Sequence, residues 1–534
     1  MRKLARRRLF VREATGLVKE LSFVDQFLVS QAGMNWFPTI PSVALLAPFY
    51  FPGANLAIVS LLGCIPAFAL AAVYAPMSAA LPRSGGDYVW SSRILGPLYG
   101  SIQFVFMFSG VLIAAIGISN WSTEAIGLSQ MLFTWGVAEH DFRLIGWASA
   151  VGQAQLGFPI SIFLVVLTTG LSLLGLRFYS IFQKVAYLLV YGITVVFAVA
   201  LLALDFSKFP LSFDAAMHLT GYNVTYASIL HSVSIGVGVD QFSVRNTLLA
   251  AIPWGFLAYG GFNFGTYFSG ETKNVKSSMF RSLFLSVAVA TVFMVGFYLL
   301  IYQDFGMRFI NAASYVAANN PSSLPTLPTV TLFVGFLNPV LGILVNGGLI
   351  VGWIMVCYVY TLEMARMVFA AAFDRLVPTK LGVVGGRFHS PYWAIILVGV
   401  LSGVYMTIYW NFGFAATWLN VSLVLPIAFI LPLIATAVFP VAKPSLFKRT
   451  VGQSQFGCWV VIGSVIGVAC FLFYVVAETF PLLSGVFLGA SLAVAYGVVL
   501  ITTGAGAVLF FTAKIRAGRL GLDIAQVYAE LPPE

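Results

Sequence analysis

Charge is what this chain has least of. Only 9% of its 534 residues are Asp, Glu, Lys or Arg, 60% are hydrophobic, and the mean hydropathy is +0.95. A soluble domain carries roughly 25% charged residues, so a water-facing surface over a chain of this length is excluded. Histidine is scarcer still. His140, His218, His231 and His389 are the full set, all near polar breaks, which leaves no imidazole pair inside an apolar run for a haem or metal. Cys64, Cys357, Cys458 and Cys470 lie in apolar runs without metal-ligand spacing, which argues against both a metal site and a disulfide framework. Ionisable residues are sparse in the middle of those runs: Asp25, Glu271 and Glu478 stand at their ends. That distribution argues against a proton-pumping subunit, which needs buried charges across several helices. No cofactor, no metal and no catalytic constellation is expected.

What is present is a succession of long apolar runs. Crossing about 30 Å of hydrocarbon takes about 20 mostly apolar residues in a helix, and twelve runs qualify. They lie near 23–50, 55–80, 97–119, 154–176, 179–204, 247–270, 280–303, 335–362, 391–411, 413–439, 457–478 and 484–513. The expected fold class is an all-α integral membrane protein of about 12 transmembrane helices. A basic leader (1–21) precedes one polytopic domain (22–513), and a short tail (514–534) follows. With this assignment 24 of the 28 Lys and Arg fall on one side. That asymmetry puts both termini in the cytoplasm. The formal charge of +10 is therefore topology and contact with anionic lipid headgroups, with no nucleic acid as partner. Arg7 and Arg8 sit in a twin-arginine-like run, but the next apolar stretch is long enough to span and no small-residue cleavage site follows. Sequons occur at Asn120 and Asn223 in the expected outer loops.

Two spans are punctuated unusually. The first reads Ser30-Gln31-Ala32-Gly33-Met34-Asn35-Trp36-Phe37-Pro38-Thr39-Ile40-Pro41, and its prolines release the carbonyls of Met34 and Phe37. The sixth contains Tyr259-Gly260-Gly261-Phe262-Asn263, with adjacent glycines that let a ligand approach the backbone. A broken helix persists in a membrane only where it lines a cavity or is buried in protein. Its half-helix ends then offer dipoles to charged groups. The bland alternative is glycine-mediated helix packing. The breaks fall in spans 1 and 6, the spacing that a repeat of five helices produces.

At these residues, and at three others, the sequence resembles the amino acid–polyamine–organocation superfamily, specifically its amino acid permeases. The segment Pro82-Arg83-Ser84-Gly85-Gly86-Asp87-Tyr88 leading to Arg93 and Leu95-Gly96-Pro97 is similar to that family's loop signature. So are Tyr259-x-Gly261-Phe262 with Glu271-Thr272-Lys273-Asn274, and Arg366-Met367 through Asp374-Arg375-Leu376-Val377-Pro378. The resemblance implies an inverted repeat of spans 1–5 (about 23–204) and 6–10 (about 247–439), with spans 11–12 (about 457–513) added. It implies a substrate held between broken spans 1 and 6, reached by alternating access. Gly33, Met34 and Asn35 would face a substrate carboxylate. Tyr259, Gly260, Gly261, Phe262 and Asn263 would face its amino group or side chain. Arg93, Glu271 and Asp374 are read as charges at cytoplasmic helix ends, with contacts of a cytoplasmic gate as the alternative.

The function expected is a secondary active transporter of amino acids in the plasma membrane. H+ is the leading coupling ion and Na+ the lesser. A polyamine or other organic-solute exchanger or uniporter, or a transporter-like nutrient sensor, is the alternative. The topology is directly testable in a cysteine-free background. A cysteine at Thr450 should react only with reagents applied from the cytoplasm, and one at Ser322 only from outside. Labelling of both from one side overturns the twelve-span assignment.

Overall fold

Backbone amides inside hydrocarbon have no water to bond, so they bond within helices. The computed structural model describes residues 16–234, 242–320, 323–412, 423–452, 457–479 and 492–529. Among these there is no strand, and 84% of the structure is helical. Most of the basic leader, ten residues of span 10, the start of span 12, Ser322 and the last five residues lie outside the described residues.

Eight helices among the described residues are individually long and apolar enough to cross a membrane. They are span 2 (Leu56–Ala80), span 4 (Ala154–Leu173), span 5 (Gly175–Ala203), span 7 (Val275–Phe305), span 8 (Pro339–Phe373), span 9 (Tyr392–Phe412), span 11 (Gly457–Thr479) and span 12 (Leu492–Arg519). The remaining four are interrupted or incompletely described. Span 1 is two half-helices, Phe23–Met34 and Trp36–Tyr50, separated by Asn35 in the left-handed region at φ 44°. Span 6 runs from Val244–Ala250 through the wide turn Ala251–Phe256 and the tight turn Leu257–Tyr259, breaks at Gly260 and Gly261, and resumes as Phe262–Glu271. Span 10 is described over Leu425–Ala437. The chain is thus a twelve-span membrane protein.

Span 3 differs from the sequence expectation. It opens at Pro97, and helix continues through wide turns at Leu112–Gly117 and Ser122–Leu128 to Glu139 instead of stopping near 119. Asn120, Ser122, Thr123 and Glu124 look like loop residues but are buried. Asn120 Nδ2 and Thr123 Oγ1 satisfy themselves on the carbonyls of Ile116 and Ser119, four residues back on the same helix, at 2.7 Å each. Asn120 is therefore buried in the protein rather than offered as a sequon in a loop.

The packing carries the repeat. Span 1 packs on 7, as span 6 packs on 2; span 5 on 8, as 10 on 3; span 4 on 8, as 9 on 3. The pairs 1–6, 2–7, 3–8 and 4–9 map onto themselves. For these pairs, adding five to each span number (with spans 6–10 returning to 1–5) regenerates the contact. Five is odd, so in a chain that crosses back and forth the second set runs through the membrane in the opposite sense, an inverted repeat. Spans 11 and 12 pack outside it, on spans 2 and 10 and on span 3 respectively.

At the edge carrying most of the Lys and Arg, called here the basic side, the ends of spans 1 and 6 are joined. The N–H groups of Glu20 and Leu21 donate to the Glu271 carbonyl at 2.9 and 3.0 Å, and Lys273 N–H donates to Leu21 O at 2.8 Å. Gln26 Nε2 adds a bond to Thr272 Oγ1 at 2.5 Å. Further along, span 2 touches span 6 backbone to backbone. A Cβ on Gly63 would lie 2.2 Å from the carbonyl carbon of Gly255. Small residues at such crossings let helices approach closely enough for dispersion contacts. Gly63→Val is expected to cost about 1–3 kcal/mol by overpacking and to lower the melting temperature of the purified protein by several degrees. Gly192→Val, at a position with open space around it, should leave melting unchanged. Equal melting of the two variants would refute this packing role.

Candidate functional site

The two breaks meet. A Cβ on Gly33 would fall 2.2 Å from the Gly261 carbonyl oxygen, and one on Gly261 would fall 2.7 Å from the Gly33 carbonyl oxygen. Gly261 also has φ 92°, a region that side chains disfavour. Both positions therefore require glycine. From span 8, the Tyr360 hydroxyl donates to the Gly33 carbonyl at 3.0 Å, satisfying one of the acceptors that the break exposes.

Above this contact is a cavity of about 90 Å³. Gly33, Met34, Gly260 and Gly261 line it. Its walls come from span 3 (Ser119, Trp121, Ser122), span 8 (Trp353, Val356, Tyr360) and span 10 (Leu425, Phe429), with Thr39, Ser42 and Trp254 on the side away from the basic face. The lining is largely apolar and aromatic, and among the described residues no charged side chain contributes to it. Thr39 and Ser42 donate to the carbonyls of Asn35 and Pro38. Ser122 Oγ and Trp353 Nε1 are buried without a protein partner, so both are free to bond a guest.

The breaks supply polarity that side chains do not. The outer half of span 1 begins at Trp36 with no side-chain cap, and its first N–H groups suit an anion. The outer half of span 6 ends at Tyr259, where carbonyls suit a cation. Four of the eight residues expected at the site do not line the cavity. Tyr259 turns its hydroxyl to Ser60 O at 3.0 Å and Thr291 Oγ1 at 2.9 Å. Phe262 is fully buried in the packing. The Asn35 amide lies against Gly352 of span 8, and both Asn35 and Asn263 bury amide groups without protein partners. The walls from spans 3, 8 and 10 carry no local sequence signal, because they converge from distant parts of the chain.

Between the cavity and the basic side the protein is shut by buried ion pairs. Arg366 grips Glu271 with two bonds, at 3.0 and 3.2 Å, with the guanidinium 0% and the carboxylate 2% exposed. Arg93 makes a second bidentate pair with Asp374, one bond at 2.7 Å. Arg93, Glu271 and Asp374 are thus buried in pairs rather than facing water at helix ends. The helix Asp87–Leu95 supplies Arg93 to this layer. Asp87 accepts from Tyr267 at 2.5 Å, Tyr74 at 2.6 Å and Gln103 at 3.0 Å. Burial pushes its carboxyl up to about 6, against the opposing pull of those bonds. Gly85, at φ 107°, donates to Tyr267 O at 3.2 Å, so the glycine turn is packed onto span 6. On the opposite side Trp254 is stacked on Tyr50 at 5.9 Å.

Comparison with known proteins agrees with this geometry. No curated protein matches the chain significantly. The family described as amino acid permease matches residues 21–505, nearly all of the described protein. A chain with two broken helices meeting at a cavity, inside an inverted repeat that this match covers in full, belongs to the amino acid permease family of the amino acid–polyamine–organocation superfamily.

Proposed function

We propose that this membrane transporter carries amino acids with uncharged side chains by alternating access, driven by a proton gradient, with Na+ the lesser candidate. The observation that carries the reading is the cavity at the Gly33–Gly261 contact, apolar in lining and polar only where the backbone breaks. An α-amino acid brings a carboxylate and an ammonium group. The uncapped N-terminus of outer span 1 complements the first, and the carbonyl end of outer span 6 complements the second. Gly33, Met34, Gly260 and Gly261 contact the substrate in this reading, and Trp121, Trp353 and Phe429 surround an apolar side chain. A polyamine carries two or more cationic groups that this lining does not match with a carboxylate. The bidentate ion pairs on the basic side and the Trp254–Tyr50 stack on the other support a reading with one gate on each side of the cavity, the arrangement alternating access uses. The charge asymmetry favours cytoplasmic termini, and the plasma membrane is the setting proposed.

Uptake into proteoliposomes tests the reading. Under an acid-outside gradient without sodium, a neutral apolar amino acid should accumulate, and putrescine and lysine should not compete. Accumulation of putrescine in preference to neutral amino acids would refute the substrate class. Counterflow exchange without gradient-driven accumulation would refute proton drive.

A second expectation concerns the free hydroxyl in the wall. Ser122→Ala should weaken substrate binding roughly two- to tenfold, the loss of one net hydrogen bond of about 0.5–1.5 kcal/mol. The melting temperature of the empty protein should not fall. Unchanged affinity would show that Ser122 does not touch the substrate.

A further inference from the structure

Span 8 carries an acidic side chain that the cavity does not use. Tyr360, Glu363 and Arg366 recur every three residues and share one helix face. Tyr360 bonds Gly33 at the cavity floor, Arg366 grips Glu271 at the gate, and Glu363 lies between them. Glu363 is 1% exposed, and neither of its carboxyl oxygens meets a hydrogen-bond donor. Tyr179 from span 5, Tyr267 from span 6, and Tyr360 and Arg366 from its own helix lie within electrostatic reach. Asp25 of span 1, also near Tyr179, is held by Lys184 at 2.8 Å and Ser180 at 2.6 Å. Arg93 is committed to Asp374.

Charge counting then decides the protonation state. Lys184 balances Asp25, Arg93 balances Asp374, and Arg366 places Nε and Nη2 on Glu271 and Nη1 on the Leu362 carbonyl. Asp87, beyond Tyr267, has no cation either but accepts from Tyr267, Tyr74 and Gln103, whereas an ionised Glu363 would be a negative charge stripped of water and given no donor in exchange. Burying such an isolated carboxylate costs far more than burying its neutral acid. The sealed arrangement therefore has room for Glu363 only with its proton on.

Opening the gate reverses this. Once Arg366 leaves Glu271, water reaches the cluster and the guanidinium is one turn from Glu363. The O–H bond of Glu363 can then break, the proton passing to water while the carboxylate accepts from Arg366.

We propose that Glu363 is a proton-binding site whose occupancy is tied to closure of the gate on the basic side: protonated when Arg366 holds Glu271, and deprotonated when they part. Acid favours the closed gate. One proton per transition changes the closed-to-open ratio by up to tenfold per pH unit across the titration. This goes beyond the transport reading, and it holds whether or not substrate flux is driven by protons.

The test uses the full chain in lipid nanodiscs with its four cysteines replaced and spin labels at Ser277 and Thr379, exposed positions beside the gate on spans 6–7 and after span 8. Distance distributions are recorded from pH 5 to 8. The short-distance population should fall as pH rises in the parent protein. Glu363→Gln, which resembles the protonated acid, and Glu363→Met should both remove the pH dependence and hold the gate closed. In infrared spectra of the parent at low pH, a carbonyl band of a buried protonated carboxyl should appear that Glu363→Gln lacks. A gate distribution independent of pH in the parent, or the same pH dependence in both variants, overturns the proposal. So does an unchanged infrared band. Failure of gradient-driven uptake with gate titration intact would remove proton drive and leave this site standing.

Discussion

The arrangement depends on one constraint: backbone that leaves the helix inside a bilayer must find partners within the protein. Each break in spans 1 and 6 strands donors and acceptors, and unmet groups in hydrocarbon cost several kcal/mol each. The solution is to press the breaks against each other and against span 8. Gly33 and Gly261 meet with no room for a Cβ on either, and Tyr360 supplies a hydroxyl to the Gly33 carbonyl. The polar edge left over faces a cavity. Packing and lining the cavity are thus not rival roles for these glycines. The contact that makes the interruption affordable is also what positions the cavity beside it.

The charges follow a second logic. Arg93, Glu271, Arg366 and Asp374 sit near helix ends on the basic side, where water would accept them singly. Instead they are buried in bidentate pairs that tie the helix before span 3 to the end of span 8, and the end of span 6 to span 8. A buried pair is weak support for stability, because desolvation offsets most of the attraction, yet breaking one leaves a costly lone charge. Such pairs suit a closure that is either fully made or fully undone.

Much of this was legible in the sequence for reasons of local chemistry. Apolar run length located the spans, and prolines and glycines marked the breaks because their effect on a helix is intrinsic. Gly33, Met34, Gly260 and Gly261 could be named for that reason. The walls could not, since Ser122, Trp353 and Phe429 are ordinary residues that only the packing brings together. Tyr259 and Phe262 misled by adjacency, because a helix turns successive side chains in different directions, and these point into neighbouring spans. Ending span 3 near 119 and span 8 near 362 left Glu124 and Glu363 in apparent loops. The helices run on to Glu139 and Phe373, which moves both carboxyl groups indoors. Hydropathy marks where a chain is apolar, while helix ends are set by capping and by side chains bonding back to their own turns.

The backbone bonds joining Glu20 and Leu21 to Glu271 and Lys273 give the moving parts a mechanical character. The inner halves of spans 1 and 6 are separated by more than two hundred residues of chain, yet they are pinned together at their basic-side ends as well as at Gly33 and Gly261. Two rods fastened at both ends behave as one lever. A load on one half-helix is therefore carried to the other, and the two hold one common position against spans 2, 7 and 8.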